Sequence, residues 1–163
     1  MKIAIISDIH DNLVNLEKCL NWCGRNNIKE IICCGDVTNS DTLEFLSENF
    51  SGRIHLVRGN IELFPESEPE TYSNINYHGR IARIKFNETQ VGICHEPYLI
   101  DYVFKKGGCD IIFYGHTHEP WEDRKNGARL INPGTLGAMF SKATFAVWDT
   151  KSGNIELKIL EII

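Results

Sequence analysis

Five short apolar runs, KIAII, EIICC, RIHLVR, QVGIC and DIIFY, recur along the chain, and each stops at a residue with an oxygen or nitrogen to offer a ligand. The first breaks off at Ser7-Asp8-Ile9-His10, the second at Gly35-Asp36 and the third at Gly59-Asn60. The fourth delivers His95, and the fifth delivers Gly115-His116-Thr117-His118. Continuous apolar runs bounded in this way read as buried strands. Between the first three, apolar residues return at helical spacing: Leu13, Leu16, Leu20 and Cys23, with Asp11 or Asn12 as N-cap, then Leu43, Leu46 and Phe50. Strand–helix–strand–helix–strand predicts a parallel sheet with right-handed crossovers. Ligands of such sheets bind beyond the carboxyl ends of the strands, so these donors should meet in one crevice.

The second half changes character. RIARIKF sets Ala82, Ile84 and Phe86 against Arg83 and Lys85, a half-exposed strand that turns at Asn87-Glu88-Thr89. Tyr98 to Lys106 reads as a short helix ended by Gly107-Gly108, and Asn126-Gly127 as a type I′ hairpin. A last hairpin turns at Ser152-Gly153. Residues 61–74, with two prolines and four glutamates, read as a solvated surface loop. The expectation is an α/β fold of two packed mixed β-sheets flanked by helices, with residues 1–163 forming a single domain.

A net charge of −5 argues against long nucleic acid or an anionic membrane as partner, since both demand a basic face. No signal-type apolar segment or membrane-length apolar stretch is present, so a cytoplasmic setting is expected. Six cysteines without a C-x-x-C pair are expected to be reduced packing residues; Cys33 and Cys34, neighbours on a strand, face opposite ways.

Taken singly, the donors have ordinary explanations. Asp8-x-His10 can cap a helix, Gly35-Asp36 and Gly59-Asn60 are common turn dipeptides, and a lone His95 can sit satisfied in a core. Seven such groups at five successive strand ends point instead to metal: Asp8, His10, Asp36, Asn60, His95, His116 and His118.

This order of D-x-H, G-D, G-N, H and G-H-x-H resembles the calcineurin-like metallophosphoesterases, in particular their small single-domain bacterial and archaeal phosphodiesterases. The likeness runs from Ile3 to about Met139 and takes in Asn132-Pro133-Gly134-Thr135. It implies two divalent ions per chain: Asp8, His10 and His118 on one, Asn60, His95 and His116 on the other, Asp36 between them. Asn60 and His95 would also be the catalytic pair. Ions in such sites lie ~3.5–4 Å apart, a span that His116-x-His118 can serve from one segment. Mixed nitrogen and oxygen ligation suits Mn²⁺, Fe²⁺, Ni²⁺ or Zn²⁺ rather than Mg²⁺ or Ca²⁺, and Mn²⁺ is the ion expected first. Two ions less two carboxylates and a hydroxide leave about one positive charge, suited to a phosphate ester. The implied reaction is hydrolysis of small phosphodiesters by attack of a metal-bound hydroxide.

The chain departs from that pattern twice. Ile61 follows Asn60 where stronger relatives carry a proton-donating histidine, and His95-Glu96-Pro97 stands in place of H-G-H. Glu62 and Glu96 remain open as substitute acids. Arg58 is expected in solvent at a strand end, Asn132 to Thr135 as a structural turn near the site, and Arg80, Arg83 and Lys85 as a solvated face. The expected partner is a small phosphoester, with homo-oligomerisation left open. The alternative is a protein-interaction scaffold like the eukaryotic retromer subunit, which shares the fold with a degraded site; a nuclease would need a basic groove that this chain lacks.

Overall fold

The computed structural model describes residues 1–163. The first half runs β1 (Lys2–Ile6), α1 (Leu13–Arg25), β2 (Glu30–Cys33), α2 (Ser40–Glu48), β3 (Arg53–Leu56) and β4 (Ile75–Tyr77). The second half runs β5 (Ile81–Phe86), β6 (Thr89–Cys94), α3 (Ile100–Lys105), β7 (Ile111–Phe113), β8 (Pro120–Lys125), β9 (Ala128–Pro133), β10 (Thr144–Asp149) and β11 (Ile155–Ile159). One sheet has the order β11-β10-β1-β2-β3-β4 and the other β5-β6-β7-β9-β8. Both are mixed. β1 to β4 are parallel to one another, with β10 antiparallel to β1; β6, β7 and β9 are parallel, with an antiparallel strand at each edge.

Strand alternation builds the layers. On β1, Ala4 and Ile6 point toward α1 and α2, where they meet Leu16, Leu20, Leu43 and Leu46. Ile3 and Ile5 point the other way, into a core between the sheets shared with Ile93, Phe113 and Trp148. Cys33 and Cys34 divide in the same manner, one into each core. α3 covers the outer face of the second sheet through Ile100 and Val103, packed with Cys94 and Ile112. The result is the expected pair of sheets between helical layers. All six cysteines are buried, unpaired thiols. Asn12 caps α1 by accepting the Asn15 N–H at 3.0 Å. Asn126 and Gly127, both at positive φ, make the hairpin turn between β8 and β9.

Three expectations need correction. Residues 61–74 are not a freely solvated acidic loop: Phe64 and Pro69 are buried, Glu62 is buried, and a 3₁₀ turn forms at Glu68–Thr71. β4 follows directly and was not foreseen. Arg58 does not lie free in solvent; its guanidinium stacks over Phe64 at 5.5 Å and donates to the Glu62 carbonyl at 3.2 Å. Nor are Arg80 and Arg83 simply solvated. Arg83 donates to the carbonyls of Lys106 and Gly108, clasping the end of α3, and Arg80 pairs with Glu96.

Candidate metal centre

The donors lie in the loops that follow β1, β2, β3, β6 and β7, all at the carboxyl end of the parallel strands. Five of the seven sit at positive φ: Asp8 (54°), His10 (49°), Asp36 (55°), His116 (73°) and His118 (61°). A non-glycine residue there costs of order 1–3 kcal/mol, so the surroundings must enforce it. They do so through backbone bonds between the loops. Asp8 N–H donates to Gly35 at 3.0 Å, and Ile9 and His10 both donate to Asp36. Thr135 Oγ1 and Gly137 N–H each reach the Asp8 carbonyl at 2.8 Å.

Two glycines permit this closeness. A Cβ on Gly59 would stand 2.0 Å from Asp36 Oδ1, and one on Gly115 would stand 1.9 Å from Ser7 Oγ. The Gly-Asn and Gly-His dipeptides are therefore places where one loop passes over another.

The side chains converge. His118 Nε2 lies 3.2 Å from Asp8 Oδ1 and 3.0 Å from His10 Nε2. His95 Nε2 lies 3.2 Å from Asp36 Oδ2 and 4.0 Å from Asp8 Oδ1. Asn60 Oδ1 stands 2.9 Å from both His95 Nε2 and His116 Nδ1. Two overlapping groups result, Asp8 with His10 and His118, and Asp8 with Asp36 and His95. Asp8 is common to both. Asp36 also reaches both ways, with Oδ2 4.0 Å from His10 Nε2. Asp8, Asp36 and His95 form a buried floor, while Asn60 and His116 stand exposed at the mouth.

The electrostatics of the floor follow from burial opposed by close charge. Burial is the largest single influence and pushes the Asp36 carboxyl up, but the hydrogen bond and charge of His95, the Ile61 N–H and His10 together hold it below the ordinary value. Burial is again the largest single influence and disfavours a charged His95, but Asp36, Asp8 and the Cys34 carbonyl together raise the imidazole. His10 is raised by its contact with Asp8, against a smaller effect of burial. His95 Nδ1 lies 2.8 Å from the Cys34 carbonyl, which can only accept. Nδ1 therefore carries a proton, and Nε2 is the atom left to bind a cation.

This donor set fits divalent metal. Imidazole nitrogens, two carboxylates and an amide oxygen all aim inward, and His10 and His118 bring two basic nitrogens within contact of each other without an intervening acceptor.

Residues without a sequence signal hold the loops. Glu62 accepts the backbone N–H of Val37, Thr38 and Gly59, tying the loop of Asp36 to that of Asn60. Asn132 donates to the Gly115 carbonyl and to Thr117 Oγ1, so it braces the His116–His118 segment. The expected structural turn at Asn132 to Thr135 is therefore a buttress of the site, with Asn132 and Thr135 both buried.

Residues 1–153 match the calcineurin-like phosphoesterase superfamily domain, and the chain belongs to that family. It is 28% identical over 167 residues to the protein named phosphodiesterase MJ0936 of Methanocaldococcus jannaschii, covering 99% of this chain and 100% of that one. An archaeal phosphodiesterase structure shares the fold with a TM-score of 0.85 at 24% identity, over 98% of this chain and 99% of that one. The E. coli phosphoesterase YfcE does so at 0.70 and 19%, over 98% and 100% of the two chains. Vps29 of Entamoeba histolytica, in complex with zinc, also superposes at 0.70 with 16% identity, over 97% of each chain.

Proposed function

We propose that this chain is a two-metal phosphodiesterase acting on small diesters, with Asp8, His10 and His118 serving one ion, Asn60, His95 and His116 the other, and Asp36 between them. The observation that carries the reading is two ligand groups side by side, reached from both sheets, with Asp36 Oδ2 3.2 Å from His95 Nε2 and 4.0 Å from His10 Nε2. This ligand mixture suits Mn²⁺, Fe²⁺, Ni²⁺ or Zn²⁺, and Mn²⁺ is the ion we put first. Bound divalent ions would supply Lewis-acid charge for the phosphoryl oxygens and lower the pKa of water at the site. The chain's own part is to hold that charge in place. Asp8 and Asp36 do not neutralise two divalent ions, so the mouth stays electropositive toward an anionic ester. Asn60 Oδ1 at the mouth stands 2.9 Å from His95 Nε2 on the floor, and the His95 ring is fixed by the Cys34 carbonyl, which supports reading them as the catalytic pair.

The full-length likeness to a protein named a phosphodiesterase supports diester over monoester chemistry. The core shared between the two sheets supports reading residues 1–163 as one domain. Six buried thiols support a reducing, cytoplasmic setting. No helix is long and apolar enough to cross a membrane. With Mn²⁺ present, bis(p-nitrophenyl) phosphate should be hydrolysed faster than p-nitrophenyl phosphate. Equal or greater monoesterase activity would overturn the diester assignment.

A further inference from the structure

Glu96 directly follows His95 and is only 5% exposed. Its Oε1 accepts from Arg80 Nη2 at 2.6 Å, and the same nitrogen lies 2.7 Å from the Tyr98 hydroxyl. One nitrogen of the guanidinium is thus fastened by two oxygens. Nη1 and Nε bond to no protein group, and the side chain as a whole is 53% exposed. The unused edge of the fork faces solvent.

Its position is at the candidate site. Ile81 pairs with Cys94 in the β5–β6 register, so residue 80 lies beside residue 95 one step further on. The adjacent Gly79 carbonyl accepts the Arg58 N–H at 2.7 Å, bringing the same segment against the loop that carries Asn60. The Arg80 backbone therefore adjoins the segments that carry Asn60 and His95, and its guanidinium is held on Glu96, the residue after His95.

Compensation of the buried Glu96 carboxylate explains why a cation is present. It does not require a planar one that leaves the N–H groups of Nη1 and Nε, three of the five, without a protein acceptor. The Glu96–Arg80 pair is neutral overall and adds no net charge to the mouth. What it adds is a set of oriented N–H donors, the arrangement that recognises an oxyanion geometrically rather than as a point charge.

We propose that Arg80 is a specificity-determining residue that binds a second phosphoryl group, carried on one of the ester substituents of the diester substrate. Glu96 and Tyr98 are the positioning residues that hold it. The proposal rests on the phosphodiesterase reading above and names the substrate class of that same site: diesters that bear a further phosphate.

The test uses two compounds with the same leaving group, the p-nitrophenyl ester of thymidine 5′-phosphate and its 3′-phosphorylated counterpart. Wild-type protein with Mn²⁺ should show a KM about tenfold lower for the 3′-phosphorylated compound, the size expected of one charge-assisted contact. Arg80→Ala should bring the two KM values together, and Arg80→Lys should keep part of the difference. A KM ratio is set by the folded fraction alone, so partial misfolding does not mimic the effect; if the alanine variant does not fold, Arg80→Lys and Arg80→Gln supply the comparison. Equal KM values in the wild type, or an undiminished ratio in the variants, would overturn the assignment of Arg80 and leave the phosphodiesterase reading standing. Hydrolysis of neither compound by the wild type would remove that reading and this inference together.

Discussion

The backbone N–H of His116 donates to both carboxylate oxygens of Asp8, at 3.0 Å and 3.2 Å. The bond joins the end of β7 in one sheet to the end of β1 in the other, so the two halves of the site are held together by one of its own ligand candidates. Asp8 therefore has two separable duties, as charge and as anchor.

Asn in place of Asp8 keeps an oxygen for the His116 N–H and removes the charge. Asp8→Asn should lose roughly 10²-fold or more in turnover while its metal-free Tm stays close to the wild type. Asp8→Ala loses the anchor as well and leaves a buried donor unpaired, at about 1–3 kcal/mol. Its Tm should drop by several degrees. Calorimetry beside steady-state kinetics checks both; equal Tm values for the two variants would contradict the anchoring role.

The strand-end donors were legible because each one interrupts an apolar run, and the parallel order of the first three strands fixes where such interruptions meet. The supports were not. Glu62 works through three backbone N–H groups on two loops, and nothing in IELFPESEPE distinguishes it from its exposed neighbours. Arg58 and Arg80 have partners four and sixteen residues away, contacts that leave no periodic trace. β4 spans three residues, Ile75–Tyr77, too few for an alternation to show.

These same contacts bear on the choice of general acid. Ile61 offers only its backbone N–H, which goes to Asp36 Oδ1. Glu62 has both oxygens engaged as acceptors, and Glu96 is bound by Arg80. Glu62 is thereby spent on the two loops, while Glu96 pairs with Arg80 through Oε1 and keeps Oε2 buried without a hydrogen-bond partner. Turnover should therefore fall steeply as leaving-group pKa rises across substituted aryl diesters. Ile61→His should flatten that slope and raise turnover of poor leaving groups by about 10²-fold, the lower range for general acid catalysis. A flat slope in the wild type would mean that another residue already donates.

Away from the site, His55 faces the core between the sheets, edge-on to Phe86 and stacked on His78. Burial pulls its pKa from the ordinary 6.5 down to about 4. Glu30 lies 3.4 Å away but does not reverse this, and burial raises the Glu30 carboxyl too. Above pH 6.5 neither folded nor unfolded chain protonates His55. As pH falls from 6.5 toward 4, the unfolded chain takes up a proton that the folded one refuses, and stability is lost. Allowing for partial solvent screening, the loss is about 1 kcal/mol at pH 5, or a few degrees in Tm. His55→Phe should lose less Tm than the wild type between pH 7 and pH 5; parallel curves would contradict the burial argument.

The most direct test of the two-metal account is the metal content of wild-type protein and of two variants, after stripping with chelator and reconstitution with Mn²⁺. The overlap of both ligand groups at Asp8 and the reach of Asp36 between them predict about two ions per wild-type chain. His118→Ala should retain about one, because it touches a single group, and Asp36→Asn should weaken both. One ion or none in the wild type, or the same loss from His118→Ala as from Asp36→Asn, would contradict it.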